Sequence, residues 1–124
     1  MVLVSPEKIA AVMALAAVPH SFAELDEMVS KGLPKGALKA SIDHICVSAE
    51  DRRQLLYRII PEATYKRRRE SLSADESERA ERLARIFATA AYVWNSDDDA
   101  RAFLTAPHAM LQGRSPLDVS LTEL

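Results

Sequence analysis

Helix-start signals recur along this chain of 124 residues, and strand signals hardly appear. A serine at the N-cap position accepts a hydrogen bond from a backbone amide of the first helical turn. At Ser21 and Ser73, a glutamate three residues later completes the capping-box pattern. No Asn-Gly or Asp-Gly hairpin turn occurs, and no segment alternates apolar and polar residues cleanly. The sequence therefore predicts an all-α fold, with helices that start after Ser5, Ser21, Ser48, Ser73, Ser96 and Ser115.

The spacing of these signals gives the approximate bounds of the helices. Gly32 stops the second helix, because glycine readily ends a helix, and Pro34 starts the third. We predict helices at Pro6–Ala17, Phe22–Lys31, Pro34–Ile45, Ala49–Arg58, Glu62–Ser71, Ala74–Trp94 and Asp97–Thr105, and a short C-terminal set from Pro107.

The longest predicted helix, Ala74–Trp94, carries one apolar stripe at helical spacing. The stripe comprises Ala80, Leu83, Ala84, Phe87, Ala90, Ala91 and Trp94. Such a helix serves either as the spine of a small fold or as a surface for dimerisation, and the first is the more common arrangement. The candidate residues for this core or dimer contact are Leu83, Phe87, Ala91 and Trp94.

An apolar run near the N-terminus, Ile9–Val18, has two interpretations. Its composition and the preceding Lys8 resemble the apolar region of a secretory signal. Pro6 and Glu7 flank it, however, and no clean Ala-x-Ala cleavage site follows, so a buried helix is the better interpretation. Cys46 is the one cysteine, which excludes an intrachain disulfide and suits a reducing compartment. We predict a cytoplasmic protein that does not span a membrane.

The sequence offers no pattern that predicts catalysis. The three histidines, His20, His44 and His108, are scattered, and none has a second ligand at the spacing of a metal site. The glycines are isolated, and neither a Gly-Lys-Ser/Thr phosphate loop nor a Gly-x-Ser-x-Gly elbow occurs. We therefore expect a non-enzymatic protein without a metal, a cofactor or a small-molecule substrate.

Basic residues are concentrated in the middle of the chain, although the formal net charge is −2. Between Arg52 and Arg69 there are seven basic residues, and Glu62 is the only acidic one. The same segment has the layout of a helix-turn-helix, with a break at Ile59-Ile60-Pro61 between a longer helix and a short one. Residues early in the second helix of such a unit reach base edges in the major groove of DNA.

This layout predicts a DNA-binding surface, on which side chains divide between base edges and phosphates. The candidate residues are Arg53, Glu62, Thr64, Tyr65, Lys66, Arg67, Arg68 and Arg69. The alternative interpretation is a solvated helix face that pairs with the acidic residues that follow it, since the turn lacks the glycine that is frequent in such units. Tyr65 either reads a base or packs inward.

Five segments, in order along the chain, resemble the Xre/MbcA/ParS family of antitoxins, which are paired with RES-domain toxins. They are GLPKGALKASIDHI (Gly32–Ile45), IPEATYKRRRE (Ile60–Glu70), LSADESERAERLARI (Leu72–Ile86), DARAFLTAPHAMLQGRSPLDV (Asp99–Val119) and the final LTEL. The resemblance implies an Xre-like helix-turn-helix region with an N-terminal helix in residues 1–71. It also implies a helical toxin-binding domain in residues 72–124.

The resemblance further implies a type II antitoxin. Such a protein would block the active site of a toxin that degrades NAD, and would repress its own operon. The residues that match the family's C-terminal segment and are expected to contact the toxin are His108, Met110, Gln112, Arg114, Glu123 and Leu124. A further helix usually follows the LTEL position in the family, so the toxin-binding half is expected to lack the family's last helix.

The expected partners are the cognate RES-domain toxin, promoter DNA and a second copy of the chain. A homodimer is expected because a helix-turn-helix reads two half-sites through two-fold symmetry. Toxin binding would then give a hetero-oligomer. The alternative is a stand-alone helix-turn-helix transcriptional regulator without a toxin partner.

Overall fold

The computed structural model describes residues 4–122 of the chain. Within this range the predicted all-α class is confirmed, and no helix is long and apolar enough to cross a membrane. The elements in chain order are α1 (Pro6–Val12), α2 (Phe22–Lys31), α3 (Lys35–Ile45), α4 (Ala49–Ile59), α5 (Glu62–Arg67), α6 (Ala74–Trp94), α7 (Asp97–Thr105), a 3-10 turn (Ala109–Leu111) and α8 (Pro116–Thr122).

Serine hydroxyls cap six of these helices, as the sequence predicts. Each hydroxyl accepts a hydrogen bond from the backbone N–H three residues later, at 3.0–3.2 Å. Replacing such a cap by alanine typically costs about 1 kcal/mol. The capping box is reciprocal at Ser73, where Glu76 accepts the N–H of the serine. At the second helix Glu24 instead accepts the N–H of His20, so the predicted box at Ser21 is only half formed.

Helix α6 is the central element of the fold, and α1, α2, α3 and α7 pack against it. Four residues of its predicted stripe are at most 2% exposed: Ala80, Leu83, Ala84 and Phe87. The small alanines let the neighbouring helices approach closely, while burial of a leucine or phenylalanine stabilises the fold by about 1.5–3 kcal/mol. At the C-terminal end of the stripe, Ala91 is half-buried and Trp94 is 48% exposed.

The first helix is shorter than predicted, because it ends at Val12 rather than at Ala17. Ala14 has a φ of 54°, in the left-handed region that a right-handed helix does not contain. Ala16 and Ala17 are exposed, so this segment buries little apolar surface. Helices in proteins are stabilised mainly by packing, so the alanines of this segment are not sufficient to continue the helix.

Helix α5 is also shorter than predicted, and ends at Arg67 rather than at Ser71. Beyond it the chain is extended, and the N–H of Leu72 donates to the carbonyl of Leu33 at 2.8 Å. Extended backbone that pairs with another segment cannot continue a helix. The other predicted bounds from α2 to α7 agree with the structure to within one residue.

The C-terminal helix α8 is attached to α4 as well as to α7. The Arg58 guanidinium donates a hydrogen bond to the Asp118 carboxylate at 2.8 Å, and this bond holds the pKa of Asp118 below its ordinary value. Leu117, on the same helix, is buried. The last described helix therefore contacts the helix-turn-helix unit directly.

A pair of glycine substitutions tests the contact between α2 and the chain that follows α5. Gly32 has a φ of +98°, and a Cβ at this position would lie 2.6 Å from the carbonyl oxygen of Leu72. We expect Gly32→Ala to lower the free energy of unfolding by at least about 1–3 kcal/mol, because alanine adds backbone strain and this close contact. Urea denaturation measures the change.

The matched control is Gly36→Ala, in the first turn of α3. A Cβ at Gly36 meets no atom within 4 Å, so this variant should be neutral or more stable by up to about 1 kcal/mol. Equal stabilities of the two variants would contradict the described path of the chain at Gly32.

Candidate nucleic-acid interface and apolar groove

Helices α4 and α5 form the predicted helix-turn-helix unit. Leu55, Ile59 and Ile60 are at most 7% exposed and attach the unit to the rest of the core. The Arg79 guanidinium of α6 donates to the carbonyl of Ile59 at 3.0 Å, which satisfies a carbonyl at the C-terminal end of α4. Pro61 then fixes the start of α5. The turn is therefore ordered without a glycine.

The side chain of Tyr65 packs inward against the unit. Its ring lies 6.5 Å from the ring of Tyr57 in an edge-on arrangement, and the Lys35 ammonium lies 4.2 Å from its centroid. Burial raises the pKa of the Tyr65 hydroxyl. Of the two roles open to this residue, inward packing is what the structure shows, and contact with a base stays a prediction.

The predicted DNA-binding residues differ in exposure. The exposed ones are Arg53, Glu62, Lys66, Arg67 and Arg69, and the half-buried ones are Thr64, Tyr65 and Arg68. The α4–α5 unit thus brings most of the predicted side chains to the surface, on the short second helix and the residues around it.

The exposed cations of this surface fall into two groups. Arg53 pairs with Glu50 at 3.1 Å, and Lys66 pairs with Glu62 at 2.8 Å. Exposed ion pairs of this kind contribute up to about 1 kcal/mol, so a phosphate group can replace the carboxylate. Within residues 4–122, Arg67 and Arg69 form no ion pair at all.

Arg68 is in a different environment from its neighbours. Its Nε and Nη2 donate to the two carboxylate oxygens of Glu76 at 2.9 and 3.0 Å. The Glu76 side chain is only 8% exposed. The bond from Arg68, helped by the N–H of Ser73, holds the pKa of Glu76 below its ordinary value. The predicted contact of Arg68 with DNA stays a prediction, and it would require this pair to open.

A second surface lies at the other end of α6, where an apolar groove of about 670 Å³ runs between α6, α7 and α8. Its lining residues are Arg85, Ile86, Thr89, Ala90, Val93, Trp94, Phe103, Leu104, Pro116 and Ser120. Val93 is 61% exposed and Trp94 is 48% exposed. Apolar side chains left this open to water are typical of a binding surface when they are contiguous.

Sequence reasoning missed most of this groove. Ile86 and Val93 lie at i and i+7 spacing on either side of Ala90, which belongs to the predicted stripe, and so widen that stripe by a second apolar edge. That spacing is the signal that could have identified them. Phe103 and Pro116 could not be assigned in this way, because α7 and α8 bring them to the groove only in the folded chain.

Of the residues expected to contact a toxin, His108 lies next to the groove, in the segment before α8. The half-buried His108 packs its ring 5.2 Å from that of Phe103, which in turn lies 5.6 Å from Trp94. Met110 is 96% exposed, and Arg114 is exposed.

The remaining predicted toxin contacts are Gln112, Glu123 and Leu124. Gln112 is exposed and adopts a left-handed φ of 59°, which reverses the chain after the 3-10 turn. Glu123 and Leu124 lie outside the described residues.

These two surfaces define the class of the protein: a helix-turn-helix protein with a separate apolar groove. Residues 24–85 match the family model of the antitoxin Xre-like helix-turn-helix domain. Residues 89–124 match that of the antitoxin Xre/MbcA/ParS C-terminal toxin-binding domain. The chain belongs to the Xre/MbcA/ParS antitoxin family, which confirms the predicted resemblance. No curated protein matches the sequence.

The two family matches meet inside α6, between residues 85 and 89. The predicted division into residues 1–71 and 72–124 falls earlier, before α6 begins. This boundary stays a prediction. Helix α6 packs against helices from both halves, so its packing does not assign it to either one.

The Arg68–Glu76 pair should make part of the stability depend on pH. The pKa of Glu76 is lowered in the folded chain, so its contribution is present at neutral pH and is lost as the pH falls below the ordinary range of a glutamate. Glu76→Gln should therefore be less stable than the wild type at pH 7, and the difference should shrink towards acid. Thermal unfolding followed by circular dichroism between pH 7 and about pH 3 measures it.

Glu78→Gln is the control, because Glu78 is an exposed residue on the same helix. This variant should follow the wild-type profile. A constant difference between Glu76→Gln and the wild type at every pH would show that ionisation of Glu76 adds no stability through this pair.

Proposed function

We propose that this antitoxin neutralises a RES-domain toxin that degrades NAD, by binding it through the C-terminal half and covering its active site. The observation that carries the proposal is the apolar groove, which lies along the C-terminal half of α6 and is lined mostly by residues that match the toxin-binding domain. The nature of the toxin follows from the resemblance of the five sequence segments. In this role the chain acts in the cytoplasm by binding the toxin, and it catalyses no reaction itself.

The groove has the composition of a protein-binding site. Its apolar centre, with Val93, Trp94 and Phe103, is bordered by the cationic Arg85. Large aromatic and arginine side chains contribute most of the affinity in protein interfaces when they are desolvated. We therefore expect the toxin to insert an apolar segment between α6 and α8.

A charge placed in the groove tests this mode of binding. Val93→Asp should abolish co-purification of the tagged chain with a co-expressed RES-domain toxin, because the complex would bury an unpaired carboxylate. In the free protein Val93 is 61% exposed, so the fold should tolerate the change. Affinity is then measured by calorimetry with the purified partners.

The matched control is Val47→Asp, the same substitution at a valine that is 74% exposed and lies outside the groove. It should leave the complex intact. If Val93→Asp binds as tightly as Val47→Asp, the groove is not the docking site. If the wild-type chain itself does not bind a RES-domain protein, the stand-alone transcriptional regulator becomes the better interpretation.

We also propose that the chain represses its own operon as a homodimer bound to promoter DNA. The surface of α4 and α5 supports this role, because it presents Arg53, Lys66, Arg67 and Arg69 to the solvent. Cations on a helix-turn-helix unit position it against the phosphates of the duplex. Two copies related by two-fold symmetry would read two half-sites.

The candidate for the dimer contact is the exposed C-terminal end of the α6 stripe. Leu83 and Phe87 pack inside the protomer, so of the four predicted core or dimer residues Trp94 is the one most available to a second copy. Trp94 also lines the groove proposed for the toxin. Sedimentation equilibrium of the wild type and of Trp94→Ala distinguishes the two roles, since only a residue at the dimer contact shifts the monomer–dimer equilibrium.

Removal of single cations tests the proposed DNA contact. Arg67→Ala should weaken binding to the duplex upstream of the coding sequence and lower the slope of log affinity against log salt by about 1. Arg67→Ala with Arg69→Ala should lower it by about 2. Fluorescence anisotropy across a salt series measures both.

Lys8→Ala is the control for net charge. Lys8 lies 5.3 Å from the ring centroid of Tyr92, near the C-terminal end of α6, whereas α5 precedes the N-terminal end. The control should keep the wild-type slope. Equal slopes for Arg67→Ala and Lys8→Ala would remove α5 from the DNA contact.

A further inference from the structure

The chain between α5 and α6, residues 68–73, is fastened at several points, and we refer to it as the strap. The N–H of Leu72 donates to the carbonyl of Leu33, and the N–H of Lys35 donates to the carbonyl of Glu70, both at 2.8 Å. The Lys35 ammonium also donates to the carbonyl of Arg68 at 3.1 Å. The strap is thus held against the start of α3.

Helix α5 itself has few contacts that could fix its position. It contains no buried residue, and its first turn has no side-chain cap. Tyr65 packs on Tyr57 and under Lys35, and these contacts hold one side of the helix. The C-terminal end of α5 is therefore fixed mainly by the strap that follows it.

The strap is joined to α6 through Arg68 and Glu76. The pair is bidentate, and the carboxylate oxygen that accepts Arg68 Nε also accepts the N–H of Ser73 at 2.8 Å. Two planar groups joined by two parallel hydrogen bonds fix an orientation as well as a distance. Glu76 belongs to the first turn of the central helix, so the pair fixes the position of Arg68 relative to the core of the fold.

We propose that Arg68 and Glu76 are positioning residues for DNA recognition: the pair clamps the end of α5 to α6 and sets the angle at which α5 meets the duplex. This inference rests on the proposed DNA-binding function. It assigns the half-buried Arg68, which lies in the middle of the basic run, to a contact within the protein rather than to the DNA. The exposed Arg67 and Arg69 on either side remain the phosphate contacts.

Glu76→Gln distinguishes the clamp from simple electrostatics, because the two predict opposite changes in the affinity for DNA. Removal of a negative charge near a DNA-binding surface strengthens binding if electrostatics alone decides. Loss of the clamp weakens it. Glutamine is a normal third residue of a capping box, so the start of α6 is retained. Arg68→Lys keeps the charge of Arg68 but cannot form the bidentate pair.

The test measures affinity for a duplex taken from upstream of the coding sequence and for a shuffled duplex of equal length. We expect Glu76→Gln and Arg68→Lys each to weaken binding to the first duplex by about tenfold with an unchanged salt slope. Glu78→Gln removes the same charge two residues away without touching the pair. It should bind at least as tightly as the wild type.

Hydrogen exchange of the α5 amides gives a readout that does not depend on DNA. Exchange should be faster in Glu76→Gln than in the wild type or Glu78→Gln, while the core amides of α6 remain protected. Equal exchange in the three proteins would overturn the clamp.

Binding results can overturn the proposal in two other ways. Tighter or unchanged binding by Glu76→Gln would show that the pair does not position α5. Wild-type affinity of Arg68→Lys, together with a lower slope for Arg68→Gln, would show that Arg68 is a phosphate contact. If the wild type binds neither duplex, the proposed DNA-binding function itself fails, and the recognition role of the clamp fails with it.

Discussion

Burial of one face of α6 is the interaction on which the other features of the structure depend. Ala80 and Ala84 allow close approach of the surrounding helices, and Leu83 and Phe87 fill the space between them. The helices α1, α2, α3 and α7 have few contacts with each other compared with those they make to α6. Helices α4 and α5 are in turn held to this helix by hydrogen bonds, from Arg79 to the end of α4 and between Arg68 and Glu76.

The same helix separates the two surfaces in space. Its 21 residues span about 30 Å at a rise of 1.5 Å per residue. The basic surface lies near its first turn, and the apolar groove lies along its C-terminal half, from Arg85 to Trp94. A cationic surface and an apolar one interfere least when they are far apart, because phosphate binding requires a solvated face and protein docking requires a desolvated one. Helix α8 bridges part of this distance, since it lines the groove through Pro116 and pairs with α4 through Asp118.

Local signals in the sequence were sufficient for most of the secondary structure. A serine cap such as Ser48 or Ser96 acts within one turn, so its pattern is visible without any tertiary information. Long-range contacts were not visible in the same way. Pairing of the basic run with the acidic residues that follow was one of the two interpretations of the sequence, but nothing in the run distinguishes Arg68 from its neighbours as the partner of Glu76. The groove was missed for the same reason, because three helices contribute to it.

The packing of α6 also bears on how this family can diversify. The two family matches meet between residues 85 and 89, in the middle of a continuous helix whose neighbours lie on both sides of that point. Recombination at this junction would join two halves of a helix that were selected against different neighbours, and each hybrid would have to repack around Phe87. New pairings of DNA site and toxin are therefore expected to arise by substitution at the exposed positions of each surface, while the interior of the shared helix stays the same.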